Sequence, residues 1–377
     1  MSPRLSMKRV TSASLLTCLA CAGSAQAATQ LGEHVSFSGF GTLGYTRADT
    51  DDGRFRREFQ PAGAGKSGSL KVDSNLGLQL TGKVNDWLSA TVQTVTMQRA
   101  TDDLSTRIDW AFVKVTPIEG LAVRAGRMSL PNFLVSDSRR VGFANTWLRP
   151  ANEVYGLDYF TDGLKGLDAS YRLSLGDHSL TVTALAGKSG FTSNGSTVKI
   201  DQVRGLNATW ESEGYSLRIG RVEGQPMLDP SIASPIPGAD LSKERYRFTG
   251  IGAMLDRNDI VLQAEYAMRR SAQVGSLVDA NGWYVLGGYR MGAFLPYAQV
   301  ARSAPRHGGA PARQSTKAVG LRWDAFRSAA LKFQFERIDT HNTPGLSFVT
   351  AGGGGAGGGA ALTEPVNVVS AALDFVF

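Results

Sequence analysis

Residues 260–269 read Ile-Val-Leu-Gln-Ala-Glu-Tyr-Ala-Met-Arg, and side chains of like polarity recur at every second position. One face of this stretch is apolar and carries Ile260, Leu262, Ala264, Tyr266 and Met268. The other face is mostly polar and carries Val261, Gln263, Glu265 and Arg269. Because side chains of an extended chain point alternately to opposite faces, this period of two predicts a β-strand with one oily and one wet face.

The same alternation recurs along the chain, in residues 70–81, 215–220 and 331–336. No stretch after Gly23 has 18 uninterrupted apolar residues, so the sequence does not predict a membrane-spanning helix beyond that point. Two-faced strands are typical of a transmembrane β-barrel, whose apolar face contacts lipid, and of a soluble β-sandwich, whose apolar face is turned inward. The connections between the strands separate these two alternatives.

Short and long connections alternate strictly down the chain. Seven are tight turns: 84–86, 116–120, 176–178, 211–214, 257–259, 291–293 and 326–328. Eight are long polar segments: 48–69, 99–107, 129–166, 188–199, 224–243, 271–281, 303–314 and 340–365. Bacterial barrels have tight periplasmic turns and long outer loops, whereas a sandwich has no reason for this alternation. The sequence therefore predicts an all-β, transmembrane antiparallel barrel.

Seven turns and eight loops join 16 strands, an even number that places both termini on the periplasmic side. Residues 153–160, Glu-Val-Tyr-Gly-Leu-Asp-Tyr-Phe, resemble a further strand. Counting it would invert every later turn and loop, so we assign it to the third long loop and keep 18 strands as the alternative. A barrel of this size is too wide for side chains to fill, so its interior must hold water or a plug. The first strand begins near Val35, which leaves too little chain for an N-terminal plug.

The first 27 residues have the features of a cleavable signal peptide. The segment starts with basic residues, continues with an apolar stretch of about 11 residues from Ala13 to Gly23, and ends in Ala25-Gln26-Ala27. That apolar stretch is well short of the roughly 20 residues that a spanning helix needs. Cleavage after Ala27 would leave residues 28–377 as a single barrel domain, and export with this strand pattern predicts the bacterial outer membrane as its location.

Cleavage would also change the composition. Both cysteines, Cys18 and Cys21, would leave, so the mature chain would have no disulfide and no thiolate metal site. The same two residues make a lipoprotein signal the alternative reading of this segment. Loss of Arg4, Lys8 and Arg9 leaves 37 basic residues against 33 acidic ones, so the net charge falls from +7 to +4. The basic residues are scattered rather than clustered, which argues against nucleic-acid binding.

The four histidines offer no site for chemistry. They stand alone in predicted turns or loops, with no partner at a metal-binding or nucleophile–base spacing: His34, His178, His307 and His341. We therefore predict no catalytic residues, no metal and no cofactor. An outer-membrane hydrolase and a structural or adhesive barrel remain as alternatives from other classes, and each predicts little or no conductance in a planar bilayer.

The extreme C-terminus carries a specific local pattern. Val369, Ala371, Leu373, Phe375 and Phe377 are apolar at alternate positions, and the sequence ends on Phe377. A terminal aromatic residue after such alternation resembles the C-terminal signal that the outer-membrane barrel assembly machinery recognises. We therefore predict that Phe375 and Phe377 form an assembly signal.

The chain as a whole resembles the Gram-negative outer-membrane porin superfamily of 16-stranded, trimeric diffusion pores. The resemblance covers residues 28–377 and is carried by four segments in order: Phe37-Ser-Gly-Phe-Gly-Thr-Leu-Gly-Tyr45, Trp110-Ala-Phe-Val-Lys-Val115, Arg124-Ala-Gly-Arg127 and Leu373-Asp-Phe-Val-Phe377. The long loop that follows Arg127 strengthens it. The resemblance implies a third loop folded into the lumen as a constriction, a homotrimer, and no catalysis.

The third loop departs from the family pattern in its charges. Its acidic residues are spread out instead of forming a compact cluster, and two arginines lie among them: Asp137, Glu153, Asp158, Asp162, Arg139 and Arg140. The wet faces of the strands carry seven basic residues, Lys71, Arg124, Arg172, Arg218, Arg269, Arg322 and Lys332. They carry five acidic ones, Asp73, Asp168, Glu265, Asp324 and Glu336. This excess predicts a weak preference for anions.

The sequence thus predicts a water-filled channel for passive diffusion of small hydrophilic solutes. The candidate pore-lining and constriction residues are Arg124, Asp137, Arg139, Arg140, Glu153, Arg172 and Arg218, and Arg124 is the first choice because it precedes the long loop. The alternative is a channel selective for a sugar, phosphate or organic acid. The expected partners are outer-membrane lipid and lipopolysaccharide, periplasmic chaperones, the barrel assembly machinery and two further copies of the chain.

Overall fold

Sixteen long antiparallel strands account for most of the molecule. A computed structural model describes residues 28–99, 101–193, 196–227, 240–307, 312–343, 345–349 and 362–377. The predicted signal peptide, residues 1–27, lies outside the described residues. Among those residues, no helix has the length and apolar character needed to cross a membrane.

The barrel strands are numbered in chain order. The first eight are β1 Val35–Ala48, β2 Asn75–Asn85, β3 Leu88–Gln98, β4 Leu104–Ile118, β5 Leu121–Met128, β6 Leu164–Leu175, β7 His178–Ser193 and β8 Ser196–Ser212. The second eight are β9 Tyr215–Met227, β10 Tyr246–Arg257, β11 Ile260–Ser271, β12 Ala280–Tyr289, β13 Phe294–Pro305, β14 Gln314–Phe326, β15 Ala329–Asp339 and β16 Val366–Val376. The prediction of 16 strands is confirmed, and the alternative of 18 is wrong.

Each strand pairs with its chain neighbours, and the last strand closes the barrel on the first. β16 runs antiparallel to β1, from Val368 opposite Ala48 to Val376 opposite Phe40. Backbone hydrogen bonds between Gly39 and Phe377 continue this ladder to the last residue. Closure removes the unpaired strand edges, which is what allows a sheet to lie in a membrane.

The remaining elements are short. Two-residue strands at Arg54–Phe55 and Phe348–Val349 pair with each other, and Ala28–Gln30 pairs back onto β1. The helical segments are α1 Asn152–Tyr155, α2 Gly275–Val278 and the 3-10 turns Gly142–Ala144 and Leu241–Lys243. The two-residue strands and the helical segments lie in connections between barrel strands, whereas Ala28–Gln30 precedes β1.

The alternation of side chains divides the barrel wall into two faces. Leu76, Leu78 and Leu80 of β2 point outward and are exposed, as are Phe333 and Phe335 of β15. These outward residues form the surface that lipid covers. The interleaved residues of the same strands therefore point inward, as the sequence pattern predicted.

The seven predicted turns all fall between consecutive strands, but one predicted loop is wrong. Residues 188–199 were expected to form the fourth long loop. Instead β7 continues to Ser193 and β8 begins at Ser196, so the connection is a hairpin, with the Thr192 and Thr197 hydroxyls 2.9 Å apart. Toward the outer end the outward residues of these strands are polar, among them Lys188, Thr197 and Lys199, so the loss of an apolar outward face did not mark the end of the strands.

The start of the second predicted strand is also wrong. β2 begins at Asn75, so Leu70–Ser74 belongs to the first outer loop. Val72 is apolar because it packs in a small cluster with Phe55 and Phe348, not because it faces lipid. Lys71 accordingly does not line the wall, and it lies near Asp102 and Asp103 of the second outer loop.

Candidate pore constriction

The third outer loop, residues 129–163, lies against inward-facing side chains on several sides of the barrel. Residues 153–160 belong to this loop, as predicted, and they begin within the short helix α1. One side of the loop is apolar. Phe133 stacks on Tyr155 with ring centroids 4.1 Å apart, and the edge of the Phe133 ring meets Phe248 of β10 at 5.2 Å.

This apolar side continues across several strands. The loop contributes Leu130, Phe133, Trp147, Ala151, Val154, Tyr155, Leu157 and Phe160 to a single buried cluster. The wall contributes inward residues of β7 to β13, among them Leu185, Val222, Phe248, Tyr284, Leu286 and Tyr297. We call these wall residues the apolar seat of the loop. Burial of apolar surface is non-directional, so the seat supplies stability more than it fixes the orientation of the loop.

A second set of wall residues holds the loop through charge, and we call it the polar anchor. Lys332 of β15 donates to the carbonyl oxygens of Gly142, Asn145 and Trp147 at 2.6 to 3.0 Å. Its ammonium nitrogen also lies 2.9 Å from the carboxylate of Asp374 on β16. Buried carbonyl groups require partners, and this lysine satisfies three of them at one turn of the loop.

Arg149 is the loop's own contribution to the polar anchor. Its guanidinium forms two hydrogen bonds with Asp73, at 3.0 and 2.7 Å, and also contacts Glu336 of β15. Thr46 and Ser370 accept further bonds from it. The whole group is buried, and a bidentate guanidinium–carboxylate pair fixes orientation as well as distance. This contact connects the third loop to the first outer loop and to the wall.

Between the loop and the opposite wall lies a charged pocket. The wall side is formed by Phe40 of β1, Gln93 of β3 and residues 107, 109 and 110 of β4. The loop side is formed by Leu130, Ser136, Asp137, Arg139, Arg140, Asp158, Phe160, Thr161, Asp162 and Gly163. Protein atoms leave about 550 Å³ of space here, open solvent included. We call it the constriction pocket.

Asp109 is the centre of the charges in this pocket. It is the extra residue of a β-bulge, since Gln93 pairs with Trp110 and Thr94 with Ile108. A bulge turns a side chain away from its regular direction, and here it presents a carboxylate to several arginines. Arg99, Arg107 and Arg140 lie 3.0, 3.4 and 3.2 Å from it.

Further ion pairs join the wall and the loop around this centre. Arg107 also binds Asp162 at 2.6 Å, and Arg139 lies 4.0 Å from Glu58 of the first outer loop. Burial opposes ionisation of Glu58, but the positive charges of Arg139 and Arg140 outweigh it and hold the pKa of this carboxyl below its usual value. Burial, together with the nearby charge of Arg140, lowers the pKa of Arg99 to about 10.

In two wall pairs the basic partner is more exposed than the acidic one. The side chain of Arg107 is 29% exposed while that of Asp109 is 9% exposed. On the wall toward the periplasm, Arg124 is 25% exposed and its partner Asp168 is 2% exposed. The guanidinium groups of Arg107 and Arg124 are therefore closer to the water of the lumen than the carboxylates of Asp109 and Asp168. Asp137 is the exception among the pocket residues, because it is exposed and contacts only the Ser129 hydroxyl within the described chain.

Three predicted site residues, Asp137, Arg139 and Arg140, come together in the constriction pocket. Arg124 lies elsewhere on the wall. It forms a two-pronged pair with Asp168, and its guanidinium stands 5.4 Å from the centre of the Phe112 ring. It is four residues from the end of β5, so it lies about 13 Å below the start of the third loop.

Three further predictions are placed as follows. Glu153 is buried behind the loop, where Gln314 donates to it at 2.8 Å and Thr316 also contacts it, so its prediction as a pore-lining residue is wrong. Sequence reasoning failed here because it could not tell which face of the loop meets the wall. Arg218 donates to the backbone oxygen of Pro131 at 2.8 Å and so supports the loop from the wall. Arg172 lies near the periplasmic end of β6 and pairs with Glu211 at 3.6 Å.

The predicted assembly signal lies at the seam of the barrel. Phe377 packs near Phe37 with ring centroids 6.0 Å apart, and it stacks beside Phe375 at 6.3 Å. Its role in recognition by the assembly machinery stays a prediction.

Sequence reasoning missed Arg107, Asp109 and Trp110 as pocket residues. Their signal was a break in the alternation of β4. Ile108 and Val113 both face outward, although strict alternation would place residues an odd number of positions apart on opposite faces. Such a break is the mark of a bulge, and bulges often lie at functional sites. No group of three or more His, Cys, Asp or Glu side chains in the described ranges could hold a metal ion.

Comparison with known proteins agrees with this geometry. A family model described as Gram-negative porin matches residues 11–343. A comparison with curated proteins found no match. Solved structures with a similar fold include an anion-selective porin from Comamonas acidovorans, with a TM-score of 0.60 and 12% identity over 91% of this chain and 99% of that one.

Two other solved structures are similar to the same extent. OmpF of Salmonella typhi, in complex with daunomycin, gives a TM-score of 0.59 at 12% identity over 91% of this chain and 97% of that one. The trimer form of OmpT from Vibrio cholerae gives 0.58 at 12% identity over 92% of this chain and all of that one. At these identities the structural likeness shows the fold alone.

A closed 16-stranded antiparallel barrel with an outward apolar surface defines a protein of the bacterial outer membrane. The match over most of the chain then gives the particular family: the protein belongs to the Gram-negative porins. Its location in the outer membrane and its porin character, both predicted from the sequence, are confirmed.

Proposed function

We propose that the protein forms a water-filled channel through which small hydrophilic solutes diffuse passively, with a weak preference for anions. The third loop narrows the channel by lying against the apolar seat and the polar anchor, and the constriction pocket is the narrow part of the path. Signal-peptide cleavage after Ala27 delivers the mature chain, which assembles as a homotrimer. One of the structures with the same fold is described as a trimer, which supports this assembly.

The observation that carries the anion preference is the exposure of the arginines. Arg99, Arg107 and Arg140 surround the single carboxylate of Asp109, and Arg107 is more exposed than that carboxylate. Fixed positive charges beside a narrow aqueous path raise the local concentration of anions and lower that of cations. The preference is weak because Asp137, Asp158 and Asp162 lie in the same pocket.

Reversal potentials across a KCl gradient in a planar bilayer test this proposal. We expect large stepwise openings and a potential that favours chloride, with a stronger preference at low salt because screening shortens the reach of the charges. The double variant Arg107→Gln with Arg139→Gln should shift the reversal potential toward potassium. The matched control is Arg204→Gln, because Arg204 is largely exposed on β8 and pairs with Glu223.

Two results would contradict the proposal. Absence of stepwise conductance from a correctly folded, heat-modifiable barrel would favour a structural or adhesive role. A conducting wild type that prefers potassium would leave the channel in place and remove the anion preference.

A further inference from the structure

Aromatic rings line the wall of the constriction pocket, where a diffusion channel has no need of them. Phe40 and Trp110 both form part of the pocket wall. Phe112, one inward position further toward the periplasm, lies 6.3 Å from Trp110 between ring centroids. The lumen of a porin is ordinarily polar, so apolar rings that face the water path require an explanation.

The register of β4 fixes these rings on the inside. Trp110 pairs with Gln93, and Phe112 pairs with Thr91. The side chains of Gln93 and Thr91 are both buried on the inner face of β3. Val92, between them, is exposed on the outer face. A shift of one residue would exchange the two faces of the strand, so the inward position of both rings follows from the pairing of the strands.

Guanidinium groups lie in the same pocket as the rings, Arg107 on the wall and Arg139 and Arg140 on the loop. Arg139 lies 4.0 Å from Glu58 and 5.9 Å from the centre of the Phe133 ring, and it has no hydrogen-bond partner among the described residues. Arg107 and Arg140 complete the basic side. An arginine with unused donors can bind a carboxylate with two parallel hydrogen bonds.

These two chemistries in one pocket define a class of ligand. A ring stacks on an aromatic side chain and a carboxylate binds a guanidinium, whereas a sugar or a small inorganic anion can use only one of the two.

We propose that the constriction pocket is a binding site for aromatic monocarboxylates, with the ring against Trp110 and the carboxylate on Arg139. The proposal rests on the channel function proposed above, because solutes reach the pocket through the lumen. Binding at this site slows the passage of an aromatic monocarboxylate through the narrowing. It also allows the channel to take up this solute when the solute's external concentration is low.

Block of the KCl current by added benzoate tests the site. Cyclohexanecarboxylate is the matched probe, because it has the same charge and a ring of similar size without π electrons. We expect benzoate to reach half-block at a concentration about fivefold lower than cyclohexanecarboxylate, the difference that an aromatic contact provides. In Trp110→Leu the two probes should become equal, and in Arg139→Gln both should weaken. Each value is taken relative to that variant's own current.

The control variant is Trp87→Leu, because Trp87 is exposed beside a periplasmic turn and should leave the block by benzoate unchanged. Equal block by the two probes in the wild type would overturn the site, as would a Trp110→Leu channel that still distinguishes them. If Trp110→Leu does not give a heat-modifiable barrel, Trp110→Met replaces it with the same expected loss of discrimination. Failure of the channel proposal looks different, since it removes the KCl current itself.

Discussion

The apolar seat and the polar anchor hold the same loop by opposite means. Along β7 to β13 the contacts with the loop are mainly apolar, although polar groups such as Glu265 also bond to it. Along β15 and β16 the contacts with the loop are mainly made by charged and polar groups, and Lys332 and Asp374 are fully buried. The difference teaches that burial supplies the affinity of the loop for the wall, whereas paired charges determine its register.

Loss of the guanidinium in the polar anchor should have the largest effect. Arg149→Met leaves Glu336 buried without its cation and leaves Asp73 with only Arg57, 3.5 Å away, and removal of one partner of a buried pair costs about 3–5 kcal/mol. Urea unfolding in liposomes should show this loss, and the single-channel current should become larger or noisier as the loop moves. The matched control is Arg337→Met, since Arg337 is exposed on β15, next to Glu336 in the chain. A loss below about 1 kcal/mol would show that the anchor does not hold the loop.

A change within the apolar seat should have an intermediate effect. Phe133→Leu keeps an apolar side chain but removes the stacking on Tyr155 and the edge contact with Phe248, and the expected loss is about 1–2 kcal/mol. The single-channel current should stay unchanged, because the polar anchor still fixes the loop. Phe335→Leu on the lipid face is the control in the same assay. An altered current with an intact stability would reverse the roles that we assign to the two regions.

The pH dependence of two loop acids should give the smallest effect. Burial raises the pKa of Glu153, so between its usual and its raised pKa the folded state binds more protons than the unfolded state. This contribution to stability is present at low pH and is lost as the pH rises through the raised value. Glu153→Gln should therefore be more stable than the wild type at neutral pH, by about 1 kcal/mol or less, and equal to it at low pH.

Glu58 should behave in the opposite way and serves as the internal comparison. Its pKa is lowered, so its contribution is present at neutral pH and is lost as the pH falls through the lowered value. Glu58→Gln should be less stable than the wild type at neutral pH, with the difference disappearing in acid. Unfolding midpoints measured between neutral and acid pH check both variants. If the stability difference from the wild type had the same pH dependence in Glu153→Gln and Glu58→Gln, the opposite pKa shifts of the two residues would be refuted.

The constriction shows where prediction from the sequence reached its limit. Arg139 and Arg140 were predicted to lie at the narrowing, and they line the pocket because the carboxylates of Glu58 and Asp109 pair with them there. Glu153 was predicted to do the same and is buried, because Gln314 and Thr316 of the wall satisfy its carboxylate. Nothing within the loop sequence distinguishes these cases. The missing information is the chemistry of the wall that faces each residue.

The sequence by itself determined the barrel, the number of strands and, where the alternation is unbroken, the face of a strand that meets lipid. These follow from a period of two and from the alternation of turns and loops, which are local properties of the chain. Only the tertiary structure decided that Asp109 is turned into the lumen by a bulge and that Arg107 and Arg140 meet there. Contacts between a loop and strands that lie far from it in the chain depend on how the closed barrel brings them together, and periodicity contains no record of that distance.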